Sequence, residues 1–211
     1  MTDILQQDSD RDSRHLLRMQ RKKAVVDEKI AAAQDERGVL MINTGNGKGK
    51  STAAFGVVAR ALGHDIGVAV IQFVKGRSDT GEEGFYRQFA RTNPGCLNWH
   101  VSGEGFTWET SDRARDAAAA RAAWDIACGY LADPAIGLVV LDEFTYALKY
   151  GWLDSAPVLV ALAARPHLQH VIITGRGAPE ALLAAADTVT EMTLVKHAFK
   201  AGVKAMPGVE W

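Results

Sequence analysis

A glycine-rich stretch over residues 43–52, Asn-Thr-Gly-Asn-Gly-Lys-Gly-Lys-Ser-Thr, contains the side chains best suited to chemistry in this chain. It follows a short apolar run, 39–42, and precedes a helix-like run, 53–62. Glycines let consecutive backbone N–H groups point into one concavity, and a helix start adds free N–H groups and its dipole. A strand, such a turn and a Lys-Ser pair opening a helix are typical of a phosphate-binding loop.

The residue types in this loop indicate what each side chain would bind. Lys50 is expected to reach the outer phosphates of a nucleotide, and the Ser51 hydroxyl is expected to ligate Mg²⁺. The pattern G-x-x-x-x-G-K-[ST] has glycine where this chain has Thr44, so the loop is a variant. An ordinary lysine-rich surface turn is the alternative, but it would explain neither Ser51 nor the flanking strand and helix.

A pair of acidic residues, Asp142-Glu143, follows the apolar run 138–141. A carboxylate at the end of a buried strand beside a phosphate loop can hold Mg²⁺, directly or through water. The alternative is an acidic pair at the start of the next helix, where acids are also favoured. Either carboxylate could be the nearer metal ligand.

Two further groups are candidates for ligand contact. Arg176 lies between two glycines, and its planar guanidinium suits phosphate oxygens, although a surface arginine in a turn is the alternative. Phe106 and Trp108 form an aromatic pair in a glycine-containing loop. They would either fill the core or wall a large planar ligand.

Apolar strands alternate with helices from residue 38 onward. Strands are predicted at 39–42, 66–74, 97–101, 136–141, 171–174 and 188–194, and helices at 52–62, 82–91, 112–131, 143–149, 155–164 and 179–186. This alternation predicts a doubly wound α/β fold, P-loop NTPase-like, with a mostly parallel sheet and helices on both faces. Ligands of such folds lie at the carboxyl ends of the strands. The polar or glycine-rich stretches fall there, at 43–52, 75–81, 142–143 and 175–177.

The whole chain has 211 residues, 47% of them apolar, and a net charge of −1. That charge gives no reason to bind nucleic acid, and no apolar stretch is long enough for a membrane span. Cys96 and Cys128 lack metal-ligand spacing and are expected to be free thiols. The polar N-terminus has no signal core, so the expected location is the cytoplasm.

Residues 1–37 differ from the rest, with eight basic and eight acidic side chains and few large apolar ones. The first dozen residues are expected to be disordered, and a helix is predicted from Ser13 to about Gln34. We therefore predict an N-terminal extension, 1–37, and one catalytic domain, 38–211. The extension would fold over a site or onto a second subunit, or remain a charged tail.

Taken together, the motifs resemble those of the ATP:corrinoid adenosyltransferases of the CobA/BtuR/CobO type. The resemblance covers the chain from about residue 15 to its end, and it accounts for Thr44, since that family uses the same variant loop. The segments that carry it are the loop at 44–52, Ala-Arg-Ala-Leu-Gly-His (59–64), Val-Ile-Gln-Phe-Val-Lys-Gly (70–76), Gly-Phe-Thr-Trp-Glu-Thr (105–110), Val-Leu-Asp-Glu-Phe-Thr-Tyr (140–146), Ile-Thr-Gly-Arg-Gly (173–177) and Val-Lys-His-Ala-Phe-Lys-Ala-Gly-Val-Lys-Ala (195–205).

The resemblance implies transfer of the 5′-deoxyadenosyl group of ATP to the Co(I) of a corrinoid, with triphosphate as the leaving group. Ser51 and Glu143, with Asp142 beside them, would hold Mg²⁺ or Mn²⁺. Phe106 and Trp108 would close the corrin pocket and displace the lower axial ligand. The nucleotide-binding residues it implies are Asn46, Gly47, Lys48, Gly49, Lys50, Ser51, Thr52 and Arg176.

The resemblance also implies partners. The N-terminal helix would cover the corrinoid, lying across a partner subunit in a homodimer, and a reduced flavoprotein would be the electron donor.

Two other functions fit the loop alone: a small-molecule kinase or NTPase with Asp142 or Glu143 as base, and a nucleotide-switched binding protein without turnover.

Overall fold

The computed structural model describes residues 2–74, 80–102 and 113–210, with side chains given for residues 11, 12 and 14 onward within these ranges. The chain divides into two compact units, Met1–Glu36 and Arg37–Trp211. Among the residues described, no helix has the length and apolar character needed to cross a membrane.

The first unit contains a single long helix, α1 (Thr2–Ala32). The helix begins well before Ser13, so the structure places helix where the sequence led us to expect disorder. No glycine or proline occurs between residues 2 and 32, so nothing in this stretch breaks a helix. From residue 14 onward, where the side chains of α1 are described, the large apolar ones are about half exposed or more; they are Leu16, Leu17, Met19, Val25, Val26 and Ile30.

The second unit is built on one parallel sheet of six strands in the order β3-β2-β4-β5-β1-β6. Every described strand pair is parallel. Strands β2 and β4 are buried along their whole length, as their unbroken apolar runs predicted. The strands are β1 (Leu40–Thr44), β2 (Val68–Gln72), β3 (Leu97–Val101), β4 (Leu138–Asp142), β5 (His170–Thr174) and β6 (Thr188–Glu191).

Helices cover both faces of the sheet. They are α2 (Lys50–Leu62), α3 (Gly81–Thr92), α4 (Arg113–Leu131), α5 (Thr145–Lys149), α6 (Ser155–Ala164) and α7 (Glu180–Ala185), with a short 3₁₀ turn at Ala198–Ala201. Helices α2 and α3 pack on one face, where Phe55, Tyr86 and Trp99 form an aromatic cluster. Helices α4 to α7 pack on the other face. The predicted α/β fold with helices on both faces is therefore confirmed.

Several strands were predicted to be longer than they are, because an apolar run indicates burial and not the extent of the hydrogen-bonded ladder. The predicted strand 66–74 is observed only from Val68 to Gln72. Phe73 lies beyond β2, yet it is 3% exposed and packs edge-on against Phe144. Conversely, β1 continues through Thr44, which the sequence placed in the loop.

Parallel pairing brings the carboxyl ends of the strands to one edge. Gln72 lies beside Asp142, and Asn43 lies beside Thr174. The stretches at 43–52, 142–143 and 175–177 follow these strand ends, as predicted. Residues 75–79 of the fourth stretch lie outside the described part of the chain.

Candidate functional site

The loop between β1 and α2 turns at two glycines with left-handed backbone conformations. Gly45 has φ 94°, and Gly49, the residue before α2, has φ 100°. Thr44 is a buried strand residue, so the turn begins one position later than in the standard pattern. A side chain at residue 44 is compatible with this loop for that reason. The sequence showed that Thr44 departs from the standard pattern, but it did not show that this residue belongs to β1.

The loop is fastened to the segment that follows β6. The Gly47 N–H donates to the Met192 carbonyl at 2.6 Å, and the Met192 N–H donates to the Thr44 carbonyl at 2.8 Å. A Cβ at Gly47 would lie 2.7 Å from the carbonyl oxygens of both Met192 and Thr193. Glycine at 47 is thus required by close backbone approach.

Lys50 is the buried cation of the loop, with only 6% of its surface exposed. Its ammonium group donates to the carbonyl oxygens of Gly47 at 2.7 Å and Gly45 at 3.0 Å. Burial lowers the pKa of Lys50, while the Glu143 carboxylate opposes that shift. The lysine predicted to contact phosphate therefore lies against the loop and in electrostatic contact with the acidic pair.

Glu143 is half-buried and has an unusual backbone conformation, with φ 55°. Burial and the neighbouring Asp142 raise its pKa to about 7, and Lys50 and Arg176 counteract this. Its Oε2 atom is buried without a hydrogen-bond partner among the described residues. An unsatisfied carboxylate oxygen beside a phosphate-type loop fits a divalent cation, which prefers oxygen ligands.

Asp142 has a different environment, although it is adjacent in sequence. It is 4% exposed, and both of its carboxylate oxygens accept hydrogen bonds from the protein. Oδ2 accepts from the Gln72 amide at 2.9 Å, and Oδ1 accepts from the Thr174 hydroxyl at 2.8 Å. The two carboxylates that the sequence could not distinguish are thus distinguished by their hydrogen bonds.

Arg176 lies in a turn between Gly175 (φ 138°) and Gly177 (φ 67°). The Thr145 hydroxyl donates to the Arg176 carbonyl at 3.0 Å, which ties this turn to α5. Burial has the larger effect on both groups, and the exposed guanidinium adds to the lowering of the Lys50 pKa and counteracts the rise in the Glu143 pKa. The structure therefore brings Lys50, Glu143 and Arg176 into one electrostatic neighbourhood.

The other predicted loop residues differ in their exposure. Asn46, Lys48, Gly49 and Thr52 are exposed, whereas Ser51 is half-buried in the first turn of α2. Phe106 and Trp108 lie outside the described residues. Within the described ranges, no cluster of three or more His, Cys, Asp or Glu side chains is placed to hold a metal ion.

The sequence analysis missed two residues of the strand edge, Gln72 and Thr174, and one of the C-terminal segment, Glu210. Gln72 and Thr174 hold Asp142, and Glu210 forms an ion pair with Lys48. A signal was present for the first two, because each is a polar residue at the end of an apolar strand. Nothing in the sequence marked Glu210.

Comparison with known proteins gives a consistent result over almost the whole chain. Residues 36–211 match the family described as ATP:corrinoid adenosyltransferase BtuR/CobO/CobP. Residues 1–30 match the family described as Cob(I)alamin adenosyltransferase N terminal.

Individual relatives agree with these matches. A corrinoid adenosyltransferase from Pseudomonas aeruginosa is 62% identical over 96% of this chain and 98% of its own length. One from Escherichia coli and one from Salmonella typhimurium are each 48% identical, over 95% of this chain and 99% of their own length. The chain therefore belongs to the ATP:corrinoid adenosyltransferase family of the BtuR/CobO/CobP type.

Proposed function

We propose that this protein transfers the 5′-deoxyadenosyl group of ATP to the Co(I) of a corrinoid and releases triphosphate. The observation that carries the proposal is the family match over 36–211, a range that includes the loop, the acidic pair and Arg176. The geometry supports it, since the charges of Lys50, Glu143 and Arg176 interact beside a loop suited to phosphates.

The chemistry explains why so few catalytic groups are needed. The lone pair on Co(I) forms a bond to C5′ of the ribose, and the C5′–O5′ bond breaks, leaving its electron pair on triphosphate. No proton is lost by the nucleophile, so a general base is not required. The protein must neutralise the departing charge, align the reacting atoms and exclude water.

The described residues would meet the first of these requirements. Lys50, Arg176 and the loop N–H groups would stabilise the negative charge that develops on triphosphate. Asn46, Gly47, Lys48, Gly49 and Thr52 would complete the nucleotide contacts. Ser51 and Glu143 would hold Mg²⁺ or Mn²⁺, which, when bound, supplies further positive charge to the phosphate oxygens.

The corrinoid side of the site rests on the resemblance. We infer that Phe106 and Trp108 wall the corrin ring, and that α1, in an extension over 1–37, covers the corrinoid from a partner subunit of a homodimer. A reduced flavoprotein would supply the electron, and the cytoplasm is the expected location. The acceptor would be cobyrinic acid diamide, cobinamide or complete cobalamin.

Analysis of the nucleotide product tests the function. The protein is incubated with ATP, Mg²⁺ and chemically reduced cobalamin, and phosphate species are resolved by ion-exchange chromatography. Triphosphate and a light-sensitive adenosylated corrinoid should form in equal amounts, and only when the corrinoid is present. ADP or phosphate as the sole product would instead support the kinase or NTPase alternative.

A further inference from the structure

A continuous chain of hydrogen bonds runs from Trp99, in the middle of β3, along the carboxyl ends of β2, β4 and β5. The Trp99 indole N–H donates to Gln72 Oε1 at 3.1 Å, and Gln72 Nε2 donates to Asp142 Oδ2 at 2.9 Å. The Thr174 hydroxyl donates to Asp142 Oδ1 at 2.8 Å. It also accepts the Glu143 backbone N–H at 2.9 Å, which links the chain to Glu143.

The donor and acceptor types fix the direction of every bond. An indole nitrogen can only donate, so Gln72 must turn its oxygen to Trp99 and its amide nitrogen to Asp142. A carboxylate only accepts, so the Thr174 hydroxyl must donate to Asp142 and is left to accept from the Glu143 N–H. The arrangement therefore has one low-energy orientation for each side chain.

Burial makes this arrangement restrictive. The three central side chains are almost fully buried, with exposures of 1% for Gln72, 4% for Asp142 and 0% for Thr174. If one of these hydrogen bonds were lost, water could not readily replace it. Neither carboxylate oxygen of Asp142 is left without a protein donor. Glu143, by contrast, retains a buried carboxylate oxygen without a partner among the described side chains.

This chain of hydrogen bonds also holds the backbone of Glu143. A residue with a Cβ rarely adopts φ 55°, so this conformation needs support from its surroundings. The bond from the Glu143 N–H to Thr174 supplies such support directly. It holds the Glu143 carboxylate where Lys50 and Arg176 act on it electrostatically.

We propose that Thr174 and Gln72 are positioning residues of the metal–triphosphate site. They act through the Asp142 carboxylate and the Glu143 backbone, and so hold in place Glu143, which the family resemblance already implies as a ligand of the divalent cation. The inference rests on the proposed function only in requiring that the site takes a metal-bound triphosphate group. It assigns Asp142 to the support of Glu143.

The test compares two substitutions at Thr174. Thr174→Val keeps the shape but removes the hydroxyl, whereas Thr174→Ser keeps the hydroxyl. Binding of Mn²⁺ by the protein in the presence of ATP, without corrinoid, is measured by equilibrium dialysis against the same solution of Mn²⁺ and ATP. Thr174→Val should bind Mn²⁺ about tenfold more weakly, as expected for loss of an outer-shell partner, and Thr174→Ser should stay within about twofold of wild type. Unchanged Mn²⁺ affinity in Thr174→Val would overturn the proposal.

A second comparison keeps the proposal testable if Thr174→Val does not fold. Asp142→Asn and Glu143→Gln are both isosteric, and their Mn²⁺ affinities are measured in the same way. Glu143→Gln should lose more affinity than Asp142→Asn. The reverse order would make Asp142 the direct ligand and overturn the assignment. Wild-type protein that binds no Mn²⁺ with ATP would overturn it as well.

The two proposals can fail separately. The Mn²⁺ measurement does not involve adenosyl transfer, and product analysis of the wild-type protein does not involve Thr174. If the wild type releases ADP while Thr174→Val still weakens Mn²⁺ binding, the positioning role stands and the transferase function fails. If the wild type releases triphosphate and Thr174→Val leaves Mn²⁺ binding unchanged, the transferase function stands and the positioning role fails.

Discussion

Lys48 in the phosphate loop forms an ion pair with Glu210, which lies 162 residues later in the chain. Both side chains remain partly in solvent, with 48% of Lys48 and 23% of Glu210 exposed. The same C-terminal region contacts the loop through Met192. The cation that is expected to contact ATP is therefore already paired with a carboxylate.

Removing that carboxylate should favour nucleotide binding. In Glu210→Gln, Lys48 no longer has to leave an ion pair before it contacts phosphate. Exposed ion pairs are worth about 0–1 kcal/mol, so the KM for ATP should fall by about two- to fivefold at low salt. We expect kcat to change little, because the pair does not involve the reacting atoms. Steady-state kinetics at several salt concentrations provide the measurement.

The salt dependence of KM and a control variant test this prediction further. The gap in KM between wild type and Glu210→Gln should narrow as salt rises, since screening weakens exposed pairs. Glu180→Gln, an equivalent loss of an exposed charge on α7, is the control and should leave the KM unchanged. An identical KM for wild type and Glu210→Gln at low salt would mean that Glu210 does not compete for Lys48.

The close approach of Gly47 to the Met192 and Thr193 carbonyls predicts a second outcome. Gly47→Ala places a Cβ 2.7 Å from both oxygens, and these are backbone atoms that cannot move cheaply. The substitution should lower the free energy of unfolding by about 1–3 kcal/mol, as for overpacking elsewhere, and should weaken ATP binding. Thermal unfolding and calorimetric ATP titration measure the two effects.

Gly56→Ala is the matched control for this substitution. Gly56 lies within α2, and its Cβ would meet no atom within 4 Å. Alanine should therefore stabilise the helix by up to about 1 kcal/mol without affecting ATP. If Gly47→Ala unfolded at the same temperature as Gly56→Ala, the contact between the loop and 192–193 would not exist in solution.

The fold was largely predictable because the apolar runs of a parallel sheet and the loop motif are both local signals. Strand ends were less predictable, since Phe73 is as buried as a strand residue yet lies past β2. The start of α1 was also misplaced. High charge suggested disorder, but charged residues without glycine or proline are equally compatible with a helix.

The candidate site was only partly predictable, because its residues come from distant parts of the sequence. The loop, Asp142-Glu143 and Arg176 each carry a recognisable pattern, and the structure groups Lys50, Glu143 and Arg176 electrostatically. The distinction between Asp142 and Glu143 required the hydrogen bonds of Thr174 and Gln72. Those depend on strand order, which spacing along one chain does not reveal.

Asp187 should make stability depend on pH. Its carboxylate accepts from Arg37 at 2.6 Å and from the Leu40 N–H at 2.8 Å, and these bonds lower its pKa to about 2. A lowered pKa means that the stabilisation is complete above the unfolded value, near 4, and is lost as pH falls towards 2. Asp187→Asn should thus lower the free energy of unfolding at pH 7 by about 1 kcal/mol, discounted because Arg37 is 44% exposed.

Urea unfolding at pH 7 and at pH 2.5 measures this contribution. The difference between wild type and Asp187→Asn should be largest at pH 7 and should shrink markedly at pH 2.5. Asp125→Asn, at an exposed position of α4, is the control and should show little difference at either pH. A gap of the same size at both pH values would show that the ionised carboxylate is not the source.

Lys50→Ala should nearly abolish the use of ATP. The substitution removes the buried cation of the loop and leaves the carbonyls of Gly45 and Gly47 without their donor. Loss of one preorganised charge-stabilising donor typically costs about 10²- to 10³-fold in rate, so at least a hundredfold loss of triphosphate release is expected. Lys204→Ala removes the same charge from an exposed position of the C-terminal segment and should retain full activity. Release of triphosphate by Lys50→Ala at a rate near wild type would show that Lys50 holds the loop together but does not stabilise the leaving group.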